Sequence, residues 1–530
     1  MREVGKSYEL VSSRVDKEGV FETDADHVFD TVVTTVKKVL STTGIRAEEI
    51  AAMGVTNQRS TFTSWDVKTG KSLHPFISWA DLRGTDICET ANHSLFTYGL
   101  RTVCRIGFWI TRMPLLLTVS HLTLKNNQLG PKLCWVVKNV PEVSKCLDRG
   151  DLKVGTLDSW LLYRLSGKKL HATDASNASA TGVFDPFGMV FSNIVKFMVY
   201  PFRYVPTSVY PEVRRSSDDF GRTDKSIFGC EIPICALAAD QQAAMFGHGC
   251  TKKGDTKVTL GTGGFVNACT GDRPLASYGT LYPLVAWQVG KKTVYAMEGP
   301  DTTAGLGVEW LVKVGLVHNP EETETLATSV PDCGDVFFVP ALFGLGAPYW
   351  DDHARAMFIG MSASTTRAHL VRAALECFGF RVAEILRAFF EQVLPRSQHN
   401  GLLHISGGMS KNNFLCQSVA DITGLTVVRP KNTETTSIGV AFLAGIQCGF
   451  WQEEDLERYR EIDRMFPPQI TETERQKKIE SWNEAVRRAS KWAEKPRKQS
   501  TSTFLLVNIL IFCIASLALY LQPWFVIRRV

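Results

Sequence analysis

At 530 residues the chain is too long for a single hydrophobic core, so two large domains are expected. Apolar residues make up 44% and charged residues 21%, the balance of a folded globular chain and not of a disordered or fibrous one. A net charge of +5 spread over this length supplies no concentrated basic face, which excludes nucleic acid as the expected partner.

The 13 cysteines are scattered and none lies in a Cys-x-x-Cys pair, so neither a disulfide scaffold nor a cysteine metal site is expected. They fit a reduced compartment in which cysteine packs as a small apolar residue. The opening stretch MREVGKSYELVSSR has no apolar core of the kind a secretory signal needs.

Along the chain, HVFDTVVTTVKKVL has the apolar spacing of a helix. IAAMGVT reads as a buried strand and STFTSWD as its partner, with the polar cluster Asn57-Gln58-Arg59-Ser60 between them. ALAADQQAAMFGHGC places Asp240 after a short apolar strand and before a helix. Two roles remain open for it: a helix N-cap, or a general base at the carboxyl end of a strand, where α/β ligands collect.

KVTLGTGGFVNACTG reads as strand, glycine turn and strand, the turn being Gly261-Thr262-Gly263-Gly264. Ala304-Gly305-Leu306-Gly307 leads into a helix near Trp310. A long amphipathic helix follows from Thr366-Arg367-Ala368-His369 onward, and LLHISGGMSKNNFLCQSVADITG reads as strand, glycine turn and helix around Gly407-Gly408. Glycine turns before helices let backbone N–H groups approach phosphate oxygens. None carries the Gly-Lys-Ser/Thr ending of a P-loop, and each alone also serves as an ordinary turn. The alternation of strands and helices predicts α/β layers.

The sequence predicts one domain over 1–250, a second over 251–451, and a charged helical linker over 452–502. Phe504 to Leu521 is an uncharged apolar run, preceded by Lys491, Lys495, Arg497 and Lys498 and followed by Arg528 and Arg529. It predicts a transmembrane tail anchor over 503–527. That anchor would place the body on the cytoplasmic face of a mitochondrial outer or endoplasmic reticulum membrane. Homo-oligomerisation is left open.

The collinear segments VTNQRSTF, ISWADLR, GTLDSWLLYRLSG, ATDASNASATGVFD, ALAADQQAAMFG, TLGTGGF, FVPALFGLGAPYWDDHAR, GGMSKNNFLCQ and GVAFLAGIQCGFW run from about Phe21 to Trp451. Together they resemble the FGGY carbohydrate kinases, and within them the glycerol kinases. FISWADLR and TGVFDPF look closest to the glycerol kinase 5 subgroup.

The resemblance implies an actin-like ATPase fold of two ribonuclease-H-like domains with a cleft between them. It implies ATP and Mg²⁺ in that cleft and a small polyol, glycerol above all, as the substrate to be phosphorylated. By position, Asp240 corresponds to the general base and touches the metal through water. Arg59, Ser60, Gln241 and Phe265 correspond to the substrate pocket, Phe265 as an apolar wall. Thr262 and Gly263 match the phosphate turn, Gly305 and Glu309 the helix near the nucleotide, and Gly408, Met409 and Asn412 the adenine end. These residue types suit phosphoryl transfer, which asks for positioning, charge stabilisation and one base.

The chain departs from the family pattern in two ways. Members begin with a strand carrying an Asp-x-Gly-Thr turn for the phosphates and Mg²⁺; this chain shows none and reads as starting inside the second or third strand, around KSYELVSSRV. That predicts either an N-terminally truncated sequence or a catalytically weak or inactive, membrane-tethered binding protein on a kinase fold. Ser60 stands where glycerol kinases carry a glutamate, which predicts looser glycerol binding or another small polyol. Ser406, before the two glycines, replaces an aspartate, a milder change.

Overall fold

A strand buried on both faces organises the N-terminal half. In the computed structural model, which describes residues 3–16, 19–192, 205–261, 263–301 and 304–493, Phe62–Asp66 is buried along its whole length. Successive side chains of a strand point to opposite faces. Phe62 therefore packs with Ile77, Ile87 and Val154, and Trp65 packs on the other side with Trp160 and Tyr163. The Trp65 and Trp160 rings meet edge to face at 5.3 Å. Phe62–Asp66 lies in a six-stranded sheet, pairing antiparallel with Lys71–Ser72, Phe76–Ile77 and Leu152–Thr156.

The strand before it pairs elsewhere. Met53–Asn57 was expected beside Phe62–Asp66, yet it lies parallel to Ile234–Ala239, with Asn57 opposite Ala239. The reason is the turn between them: Ser60 takes a left-handed backbone conformation, φ 59°, that redirects the chain. Two hydrophobic runs close in sequence thus join different partners.

The C-terminal half is built on a seven-stranded sheet. Its order is Tyr282–Val289, Lys292–Asp301, Gly264–Gly271, Thr256–Leu260, Leu402–Ser406, Thr426–Pro430 and Ile462–Phe466. Thr256–Leu260, Leu402–Ser406 and Thr426–Pro430 run parallel, and the outer pairs are antiparallel. The helix Arg367–Gln392 covers this sheet with Leu375, Phe378, Val382 and Ile385.

The halves meet where two helices cross. Asp240–His248 follows directly from Ile234–Ala239, and Thr435–Gln447 lies against it. The backbones are so close that a Cβ on Gly439 would stand 1.8 Å from the Ala243 carbonyl oxygen, and one on Gly247 2.1 Å from that of Thr435. Gly54 makes a similar approach to Val440. Met245, Phe246, Trp287, Phe442 and Leu443 fill the space around this crossing.

Two expectations about the C-terminus are corrected. The stretch 452–502, expected to be a linker, is through residue 493 part of the second half. Ile462–Phe466 pairs at the sheet edge, and Glu472–Ala489 buries Trp482, Ala485, Val486 and Ala489 against its core. The charged residues conceal this because the helix buries only a narrow stripe. The transmembrane helix expected over 503–527 is not found among the described residues. Among the described residues no helix is long and apolar enough to cross a membrane, and 503–527 lies outside the described residues.

Candidate active site

The parallel pairing of Met53–Asn57 with Ile234–Ala239 has a direct chemical consequence. Both strands end at the same edge, so Arg59 and Asp240 emerge side by side. Their Nε and Oδ1 atoms are 3.4 Å apart. Ala239 occupies the N-cap position and makes no side-chain capping bond, so Asp240 is the first helical residue, not the cap. Its Oδ1 accepts from the Gln241 amide at 2.7 Å, and Oδ2 has no partner among the described residues. The helix N-terminus favours a negative charge at this place.

Around this edge lies a cavity of about 860 Å³ reached from both halves of the chain. Arg59, Ser60 and Trp79 line it from the N-terminal half, Asp240 and Gln241 from the crossing helix, and Gly263, Phe265 and Glu298 from the seven-stranded sheet. Phe265 carries the Arg59 guanidinium over its ring at 5.2 Å and meets Trp79 edge-on at 6.5 Å. A cation over an aromatic face is stabilised by the ring quadrupole.

Arg59 commits more closely to another carboxylate. Its Nη1 donates to Glu298 Oε2 at 2.7 Å, and Asn267 Nδ2 donates to the same oxygen at 2.7 Å. Glu298 is 4% exposed. Burial alone would lower the arginine pKa, but Glu298, then Asp240, outweigh it and raise it, keeping the guanidinium charged. The Asp240 pKa moves up because burial outweighs the pull of Arg59, the Gln241 amide and Lys257. Its side chain is 31% exposed to the cavity yet densely walled by protein, which is how the desolvation wins. A carboxylate raised in this way is a better proton acceptor than a free one.

Beneath Gln241 sits Lys257, fully buried. Its Nζ donates to Gln241 Oε1 and Thr259 Oγ1, both at 2.6 Å. Burial lowers its pKa to about 7 against the opposing pull of Asp240 and Glu298. Thr259 continues the chain to Ser406 across the parallel strands, Oγ to Oγ at 3.2 Å. Two glycine turns follow these strands. Gly407, at φ 90°, presses so near the other turn that a Cβ would stand 2.4 Å from the Leu260 carbonyl oxygen.

The structure brings Arg59, Ser60, Asp240, Gln241, Gly263 and Phe265 to one cavity wall. Ser60 is buried there, its hydroxyl donating to the Ala180 carbonyl at 2.8 Å. Gly305, Glu309, Gly408, Met409 and Asn412 are not on that wall. Gly305 and Glu309 lie in the helix Ala304–Lys313, with Glu309 exposed. Gly408 and Met409 form the short turn Gly408–Lys411, and Asn412 caps the helix Asn413–Thr423 by accepting from the Leu415 amide. Thr262 lies outside the described residues.

Sequence reasoning missed Glu298 and Lys257. Their signal was faint but present: each is a charge within a buried strand, KTVYAMEGPD and TKVTL. Buried charges are rare unless paired, so each asks for a partner.

Comparison with known proteins follows the same division of the chain. The N-terminal domain of the FGGY family of carbohydrate kinases matches residues 2–247, and its C-terminal domain matches residues 256–448. Glycerol kinase 5 of Bos taurus is 37% identical over 490 residues, covering 92% of this chain and 91% of that protein. A glycerol kinase of Caldanaerobacter subterraneus is 38% identical over 480 residues, covering 90% of this chain and 92% of its own. Among solved structures, Plasmodium falciparum glycerol kinase with ADP superposes with a TM-score of 0.76 at 28% identity, covering 90% of this chain and 92% of that one. These matches support the two-domain actin-like kinase fold, while the reading as a non-catalytic, membrane-tethered binding protein finds no support in them. With both family domains matched and such relatives across nearly the whole chain, the protein belongs to the FGGY family of carbohydrate kinases, in its glycerol kinase group.

Proposed function

We propose that this kinase transfers the γ-phosphoryl group of ATP to a hydroxyl of a small polyol, with glycerol as substrate and glycerol 3-phosphate and ADP as products. The observation that carries the reading is the placement of Asp240 and Arg59, 3.4 Å apart, on a cavity shared by both halves. Arg59 and Gln241 would bind the polyol oxygens and Phe265 would cover its carbon chain. Asp240, through its unengaged Oδ2, takes the proton of the attacking hydroxyl. That oxygen forms a bond to the γ-phosphorus as the bond to the β,γ-bridging oxygen breaks, and ADP leaves. Helix dipole and backbone amides favour the negative charge that develops.

The nucleotide would lie toward the glycine turns, with Gly263 at its phosphates, Gly305 and Glu309 beside it and Gly408, Met409 and Asn412 at its far end. The donor chemistry fits Mg²⁺ held mainly by the ATP phosphates: Asp240 offers a hard oxygen at the cavity, and among the described residues no three ligating side chains converge into a cage. When bound, the ion neutralises phosphate charge, and Asp240 would meet it through water.

The test is ADP release by the purified protein with ATP, Mg²⁺ and, separately, glycerol, xylulose or gluconate. Glycerol is expected to give the highest kcat/KM. A higher value for either of the other two would overturn glycerol as the substrate.

A further inference from the structure

The least expected charge in the site is Glu298, and its surroundings define what it can do. Both donors that hold it, Arg59 Nη1 and Asn267 Nδ2, converge on Oε2. Oε1 has no hydrogen-bond partner among the described residues, although Glu298 lines the cavity. One oxygen is therefore anchored and the other is offered to a ligand. The carboxylate is almost wholly buried, so leaving Oε1 without a donor is unfavourable and a hydroxyl arriving there gains a charge-assisted hydrogen bond.

Its second effect is on Arg59. A buried guanidinium beside an open cavity is a natural partner for a carboxylate-bearing substrate. Here the side of the guanidinium carrying Nη1 is already occupied by Glu298, and Nε faces Asp240. With Asp240 and Glu298 both against the Arg59 guanidinium, an anion arriving at that group meets repulsion where a neutral hydroxyl meets acceptors. Ser60 adds no charge, and its hydroxyl is turned to the Ala180 carbonyl.

We infer that Glu298 is a specificity-determining residue: Oε1 accepts a hydrogen bond from a substrate hydroxyl, and its charge, by occupying Arg59, excludes substrates that carry a carboxylate in place of that hydroxyl. This rests on the polyol kinase reading above. The smallest informative pair is glycerol and D-glycerate, which differ by one hydroxymethyl group oxidised to a carboxylate.

The experiment measures KM and kcat for glycerol and the inhibition constant of D-glycerate against glycerol, for the full chain and for Glu298→Gln and Glu298→Asp. In the unaltered protein, glycerate is expected to inhibit at least about tenfold more weakly than glycerol binds, given the size of one charge-assisted hydrogen bond. Glu298→Gln removes the negative charge against Arg59 while its amide oxygen can still accept from Arg59 and Asn267, so the ratio of the glycerate constant to the glycerol KM is expected to fall on the order of tenfold or more. Glu298→Asp keeps the charge and should keep glycerate excluded while weakening glycerol. A ratio that is the same in all three proteins, with both constants moving together, would overturn the assignment and leave Glu298 a purely structural partner of Arg59. If neither variant folds, the unaltered protein still decides: inhibition by glycerate as strong as glycerol binding overturns the inference. Absence of glycerol turnover in the unaltered protein would instead overturn the polyol reading, and this inference with it.

Discussion

Lys257 shows how burial turns one side chain into a pH-dependent part of the site. Its pKa falls from 10.5 to about 7 in the folded chain because it is desolvated, and Lys132, whose Nζ donates to the Ser78 carbonyl, falls to about 7 for the same reason. Between about pH 7 and 10.5 the unfolded chain binds protons at these lysines that the folded chain does not. The contribution of these two lysines to stability therefore rises with pH across that window, and it is lost as pH falls through about 7. Lys257→Met is expected to remove its own share of that rise and to leave that of Lys132. Denaturant midpoints at the two ends of the window read it directly, and an unchanged slope would mean that Lys257 stays charged in the fold. At this scale the sequence was partly legible. Arg59 and Asp240 stand out as polar residues at strand ends, whereas Glu298 and Lys257 are charges inside strands whose partners come from elsewhere in the chain. Asn267 and Glu298 face each other only because two strands pair in register, and Arg59 reaches Glu298 from 239 residues away.

At the level of elements, the crossing of Asp240–His248 with Thr435–Gln447 holds the helix that carries Asp240 in place. A methyl group on Gly439 would collide with the Ala243 carbonyl, so Gly439→Ala must force the helices apart. A cost of about 1–3 kcal/mol is expected, the usual range for overpacking, read as a lowered melting midpoint. A midpoint equal to that of the unaltered protein would show that the crossing yields freely. Trp482, at 1% exposure, fixes the last described helix by packing flat on Phe380 at 4.9 Å and donating to Glu384 at 2.6 Å. Trp482→Ala should cost about 3–5 kcal/mol in a denaturation experiment, as for other large buried aromatics. A loss below about 1 kcal/mol would instead fit a loosely attached helix. Both elements show where sequence patterns mislead. The charged stretch after Trp451 hides a narrow apolar stripe, and two neighbouring strands that looked like partners are separated by a single left-handed serine. Helix existence was readable from periodicity; strand partners depend on contacts the local pattern does not contain.

Over the whole molecule, the two halves each supply what the other lacks. The N-terminal half provides Arg59, the crossing helix provides Asp240, and the seven-stranded sheet provides Glu298 and the glycine turns. As a member of the FGGY carbohydrate kinases, the protein phosphorylates a sugar or polyol with ATP, and the shared cavity is the place its residues suit to that chemistry. The overall fold was legible because many collinear motifs point to one family, while the expected membrane anchor was drawn from an apolar run with basic flanks and is not found among the described residues. The central claim is that Asp240 is the base at this cavity, and Asp240→Asn tests it most directly. The amide keeps the size and the contact with Gln241 but cannot take the hydroxyl proton. Steady-state turnover with ATP and glycerol, measured beside glycerol binding by calorimetry, should show kcat reduced by about 10²–10⁴ with glycerol affinity changed far less. Turnover equal to that of the unaltered protein would contradict the account.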